Sequence, residues 1–221
     1  MSSFPGSPRL IKGGIVLIDP VTAAVRRVIA LQYNPDSLTR TLQVQGAAAE
    51  GGDRSEALRL KGPPVETLKI DAEIDATDQL ELPTQGTNGT AVQFGIHPQL
   101  AALELLVYPT SARLQANNQL AATGTLEIVP FVAPLALFVW SRSRVLPVRV
   151  TDFSITEEAF DTSLNPIRAK VSLGMRVLNV YDLGFDTKGG NLFLVYQQNK
   201  EQLATLSPPA AIGALGLGGI P

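Results

Sequence analysis

Residues able to do chemistry are few in this 221-residue chain, and their spacing does not suit catalysis. Asp71, Glu73, Asp75, Asp78 and Glu81 bring carboxylates close together along the chain. Hard oxygen ligands at that density could hold calcium. A twelve-residue calcium loop, however, needs fixed ligand positions around an obligatory glycine, and this stretch has neither. Asp71, Glu73 and Asp75 alternate with apolar residues, which predicts the wet face of a strand. His97 is the only histidine. A catalytic zinc site draws on more ligands than that, and a triad needs a serine and an acid beside it. Placed directly before Pro98, it reads as a helix start. The glycines of TQGTNGT (84–90) lack the Gly-Lys-Ser/Thr of a phosphate loop, and Asn88-Gly89-Thr90 is a bare glycosylation sequon. There is no cysteine, so disulfides, thiolate zinc sites and a cysteine nucleophile are excluded. These residues predict a protein that is not an enzyme and holds no cofactor or metal.

The remaining charged constellation is cationic. Arg142, Arg144, Arg149, Arg168, Lys170 and Arg176 gather in one region. They are either a solvated strand face balanced by Glu157, Glu158 and Asp161, or a polar surface that meets a neighbouring subunit. On the second reading the inter-subunit residues are Arg149, Phe153, Arg168, Lys170 and Arg176.

The element that must position them runs from Arg144 to Leu178. Ile167, Ala169, Val171, Leu173, Met175 and Val177 form one apolar face, and Arg168, Lys170, Ser172, Gly174 and Arg176 the other. Before the turn signals Asp161, Ser163, Asn165 and Pro166, a second run alternates. Val145, Pro147, Arg149, Thr151, Phe153 and Ile155 point one way, and Leu146, Val148, Val150, Asp152, Ser154 and Thr156 the other. A period of two over this length predicts one long antiparallel hairpin. A hairpin alone is marginal in water, so the rest of the chain must pack on it.

Further strands are predicted at 10–18, 25–33, 38–45, 65–75, 126–132 and 135–140. In the fourth of these, Leu68, Ile70, Ala72 and Ile74 face inward. Residues 46–62 and 81–90 read as loops, and 181–190 as another. A helix is predicted over 97–108, with Pro98 in its first turn and Pro109 past its end. A second is predicted from an Asn191 cap to about Leu206. Trp140 belongs to the core or an interface. Residues 1–9 form a tail, 10–185 the domain, and 186–221 a helix with a Gly/Pro-rich end. The expected class is mainly β (α+β): an antiparallel sandwich or barrel with one packed helix, plus the C-terminal helix.

Composition bounds the function. A hydrophobic content of 45% supports a real core. A net charge of -2 argues against nucleic acid as partner. The N-terminus lacks a secretory layout, and the apolar run 128–140 is too short for a membrane helix. The expectation is a soluble protein made in the cytoplasm.

Particular strings go further. LQYNPDSLTRTL, KGPPVETLKIDAEIDATDQLE, LAALELLVYP, FVWSRSRVLPVRVTDFSITEEAFDTSLNPIRAKVSLGMRVL and YDLG occur in that order. They resemble the tube-domain family of contractile injection systems, which are phage-tail-like particles, over roughly residues 10–185. The resemblance implies a β-barrel of the phage tail-tube type. It also implies a homo-hexameric ring between the spike hub and the inner tube, a tube initiator or adaptor. Partners would be further copies of the chain, the inner tube protein, and spike, hub and baseplate proteins. Assembly would be cytoplasmic, within a particle whose release is left open. Two departures stand out. Ser141 occupies a position where glycine is expected after the tryptophan, and residues 186–221 hold no LysM-sized module of the kind many relatives carry. A bulk inner-tube subunit and a small-ligand-binding or enzymatic barrel are the alternative readings.

Overall fold

A computed structural model describes residues 11–46, 59–86, 88–122, 133–208, 210 and 212–220. The predicted N-terminal tail, most of the 46–62 loop and the predicted strand at 126–132 lie outside the described residues. The strands are β1 (Gly14–Ile18), β2 (Val25–Ala30), β3 (Leu38–Gln43), β4 (Val65–Asp75), β5 (Leu135–Ser141), β6 (Arg144–Phe160) and β7 (Pro166–Val177). All belong to one seven-stranded sheet in the order β2-β1-β5-β6-β7-β4-β3. Every pairing is antiparallel, so the chain is mainly β with helices added.

The hairpin β6–β7 is the centre of this order. On β7 the predicted apolar face is the buried one: Ala169, Val171, Leu173 and Met175 are fully enclosed. Its tip is fixed by Asp161, whose carboxylate accepts the backbone N–H groups of Ser163 (2.7 Å) and Asn165 (2.8 Å). Strand β6 departs from the unbroken alternation expected of it. Its register against β7 shifts between Val150 and Asp152, leaving Thr151 as an extra residue. A bulge of this kind reverses which face each later residue occupies. Leu146, Val148 and Val150 face the core before it, and Phe153 and Ile155 after it.

Strand β4 pairs with β7 through nine residues and carries the predicted inward series Leu68, Ile70, Ala72 and Ile74. Together with Ile15, Phe138, Leu146 and the β7 face they form the main core. Each such large side chain contributes roughly 1.5–3 kcal/mol of burial. Strands β1 and β5 are buried on both faces, because Ile18, Leu135 and Leu137 enter a second, smaller cluster with Val145 and Leu183. That explains why β5 reads as a continuous apolar run.

The helices are α1 (Thr77–Glu81), α2 (Gly89–Phe94), α3 (His97–Glu104), α4 (Ser111–Ala122), α5 (Val180–Leu183) and α6 (Lys188–Thr205). Helix α3 is the predicted one, shortened, and buries Leu100 and Leu103. Residues 77–81 and 111–122 carry helices not foreseen, and α2 begins inside the predicted loop. The 181–190 loop is also corrected. A capping box of Asn179 and Asp182 starts α5. Helix α6 begins at Lys188, capped by Thr187 rather than Asn191, with Thr187 Oγ1 accepting the Gly190 N–H at 3.0 Å. The Gly189-Gly190 pair that reads as loop is required for packing. A Cβ on Gly190 would lie 1.9 Å from the Gly184 carbonyl oxygen, and one on Gly189 2.4 Å from Leu183.

Helix α6 packs on its own domain. Phe193 and Tyr196 join the main core, and Leu192 the smaller cluster. No described helix is long and apolar enough to cross a membrane.

Candidate functional site

Strand β2 pairs only with β1 and β3 only with β4, so each leaves one edge open among the described residues. Both edges expose apolar side chains: Val25 and Val28 on β2 (62% and 64% exposed), Leu42 and Val44 on or just past β3 (49% and 69%). Long open edges of this kind are usually blunted by charge, proline or a covering element. The sheet's two ends also approach each other. The Gln32 side-chain amide donates to the Asp75 carbonyl (2.6 Å) and accepts from the Asp75 N–H (2.9 Å), reproducing the two bonds of a strand partner. Beside it, a groove of about 300 Å³ is lined by Val28, Ile29, Leu31, Ala72, Ile74 and Leu103.

Arg149, Arg168, Lys170 and Arg176 occupy the outer face of the hairpin, whereas Arg144 falls on the inner face with Leu146 and Val148. In register, Arg149 lies opposite Arg176, Thr156 opposite Lys170, and Glu158 opposite Arg168. Lys170 pairs with Glu158 (3.2 Å), Arg168 with Asp75 (2.8 Å) and Arg176 with Asp182 (2.8 Å). Burial pushes the Asp75 carboxyl up, but hydrogen bonds from Thr77 and the Arg168 guanidinium outweigh it and hold it below the usual carboxylate range. Phe153 is not part of this surface. The bulge turns it to the core side, where it packs half-buried. The candidate interface set is therefore split between two faces. Asp71 and Glu73 are on the exposed face of β4, as predicted. Among the described residues no group of three His, Asp or Glu side chains is placed to hold a metal.

A polar cluster that sequence reading missed lies on the inner face. Glu66 continues the buried series of β4 and is 3% exposed. Its Oε1 accepts Arg40 Nε (2.9 Å) and the Tyr196 hydroxyl (3.1 Å). Arg40 Nη2 also donates to the Tyr196 hydroxyl at 2.9 Å. Lys200 Nζ reaches Glu66 Oε2 at 3.5 Å and sits 4.0 Å over the Tyr196 ring. The one available signal was period two: Glu66 falls two residues before Leu68 on an inward face. The cluster ties β3 and β4 to α6.

Its electrostatics yield a prediction. The Tyr196 hydroxyl is pushed up to about 12, first by burial and then by the Glu66 carboxylate. A proton held more tightly in the folded state stabilises the fold fully below the ordinary tyrosine value of 10.0, and that contribution is lost as pH rises to about 12. The gap corresponds to at most ~2–3 kcal/mol. Denaturant melts at rising pH are expected to show the wild type losing that much more than Tyr196→Phe between pH ~10 and ~12. Equal losses in both proteins would place the hydroxyl in a solvated setting.

A scan of protein-family models and a search of curated proteins give no match to this chain.

Proposed function

We propose that this chain is a structural subunit of a contractile injection system, a ring-forming protein that joins the spike hub to the inner tube and starts tube assembly. The observation that supports this reading is the pair of open strand edges, β2 and β3, that terminate the strand order of one sheet and expose Val25, Val28, Leu42 and, just past β3, Val44. Joining β2 of one copy to β3 of the next is a head-to-tail contact between different surfaces. Contacts of that type generate rings when the rotation closes, and main-chain pairing across the boundary supplies the affinity. The sixfold number and the tube and baseplate partners come from the resemblance of the five strings. The charged outer face of the hairpin would then line one wall of the ring.

The test is assembly. Mixed with its tube partner, the wild-type protein is expected to form sixfold rings in electron micrographs and by light scattering. Val28→Lys and Leu42→Lys each place a charge on an exposed edge. Such surface changes alter stability by only about 0.5 kcal/mol, so melting temperatures should hold while the rings disappear. A stable wild-type monomer that never joins a tube would sink the proposal.

A further inference from the structure

The cluster around Glu66 carries more positive charge than it neutralises. One carboxylate, 4% exposed, faces the Arg40 guanidinium and the Lys200 ammonium. Arg144, half-buried at the start of β6, falls on the same inner face as Leu146 and Val148, on the strand against which α6 and its Tyr196 pack, and its charge bears on Lys200 and Tyr196. Among the described residues, three cations against one anion leave an excess of two positive charges in a partly dry setting, within a chain whose net charge is -2. Glu66 cannot absorb that excess. Its Oε1 already takes Arg40 and Tyr196, and its bond to Lys200 is long.

Donors are left over as well. Nη1 of Arg40 makes no hydrogen bond to another described residue, and the Arg144 side chain has neither a hydrogen bond nor an ion pair with one. Arg40 and Lys200 keep 29% and 35% of their side-chain surface open, so a ligand can reach them from solvent. Half-buried cations with spare donors are what an oxyanion requires. The guanidinium fork offers directional bonds, and the ammonium a point charge. Tyr196 and Glu66 fix the two cations from behind, which spares the ligand the cost of ordering them.

We infer that Arg40, Lys200 and Arg144 form a recognition site for an oxyanion, at the place where β3 and β4 meet α6 and α6 packs on β6. The shared chemistry has two sources, a dissolved anion such as phosphate or the acidic side chain of a neighbouring protein. The site does not depend on the ring reading, since it is built within one chain.

The experiment is a thermal melt of the full chain in millimolar phosphate against chloride at equal ionic strength. Phosphate at ~100-fold over its Kd is expected to raise Tm by roughly 5–10 °C. Arg144→Gln, which removes no ion pair with a described residue, should keep the Tm in chloride and lose most of the rise. Lys200→Gln should lose it too. General salting effects act alike on all three proteins, so a rise equal in wild type and Arg144→Gln overturns the site, as does no rise at all. The source is read separately in assembly reactions. Phosphate that blocks assembly identifies a neighbour's acidic side chain as the natural occupant, and assembly unchanged by phosphate identifies a dissolved anion.

Discussion

Val171→Asp is expected to unfold the protein at room temperature. Val171 is fully enclosed on β7, between Ala72 of β4 and Ile155 of β6. Among the described residues no cation is buried in the core to meet a carboxylate placed there, and burying it unpaired costs several kcal/mol. A domain of ordinary stability has roughly 5–15 kcal/mol to lose. The valine's own packing is forfeited as well. Ser154→Asp is the matched control. It introduces the same group on β6 but on the exposed face, opposite Ser172, and should shift stability by about 0.5 kcal/mol at most. Denaturant unfolding followed by circular dichroism checks both. If the two variants unfold alike, the assignment of inner and outer faces is wrong by one residue.

Glu66→Ala should have the next largest effect. The substitution strips the only described carboxylate from between Arg40 and Lys200 and removes the acceptor of the Tyr196 hydroxyl. Breaking a buried pair by deleting one partner costs ~3–5 kcal/mol. The lower end of that range is expected, because both cations are about a third open and can turn to water. The loss should be localised: amide exchange in α6 is expected to accelerate more than in the β6–β7 ladder, since Tyr196 and Lys200 lie on that helix. Adding Lys200→Met to Glu66→Ala should recover part of the loss, as neighbours in one network are not additive. A cost below about 1 kcal/mol for Glu66→Ala would mean that the cluster is solvated rather than structural.

The two residues mark opposite ends of what the sequence determined. Val171 was legible because strand periodicity is local. Its neighbours two positions away on β7 are apolar and those one position away are polar, and the same reasoning gave Leu68, Ile70, Ala72 and Ile74 on β4. The class of the fold, the hairpin, the core helix near His97 and a helix within 186–221 followed from such short-range patterns. Glu66 was not legible. Its partners stand 26 and 130 residues away in the chain, and no local rule brings Arg40 and Tyr196 to it.

Other features were likewise decided by tertiary structure alone. The bulge at Thr151 sends Phe153 to the core and splits a candidate interface set that looked continuous. The order that places β5 beside β1 and leaves β2 and β3 at the two ends depends on pairings far apart in sequence. Gly189 and Gly190 read as loop by propensity, yet the close approach of Gly184 and Leu183 holds them in the first turn of α6. In each case the deciding interaction joins residues that periodicity cannot relate. Local sequence sets which face of an element is apolar, while burial, register and charge compensation arise only once distant elements are packed together.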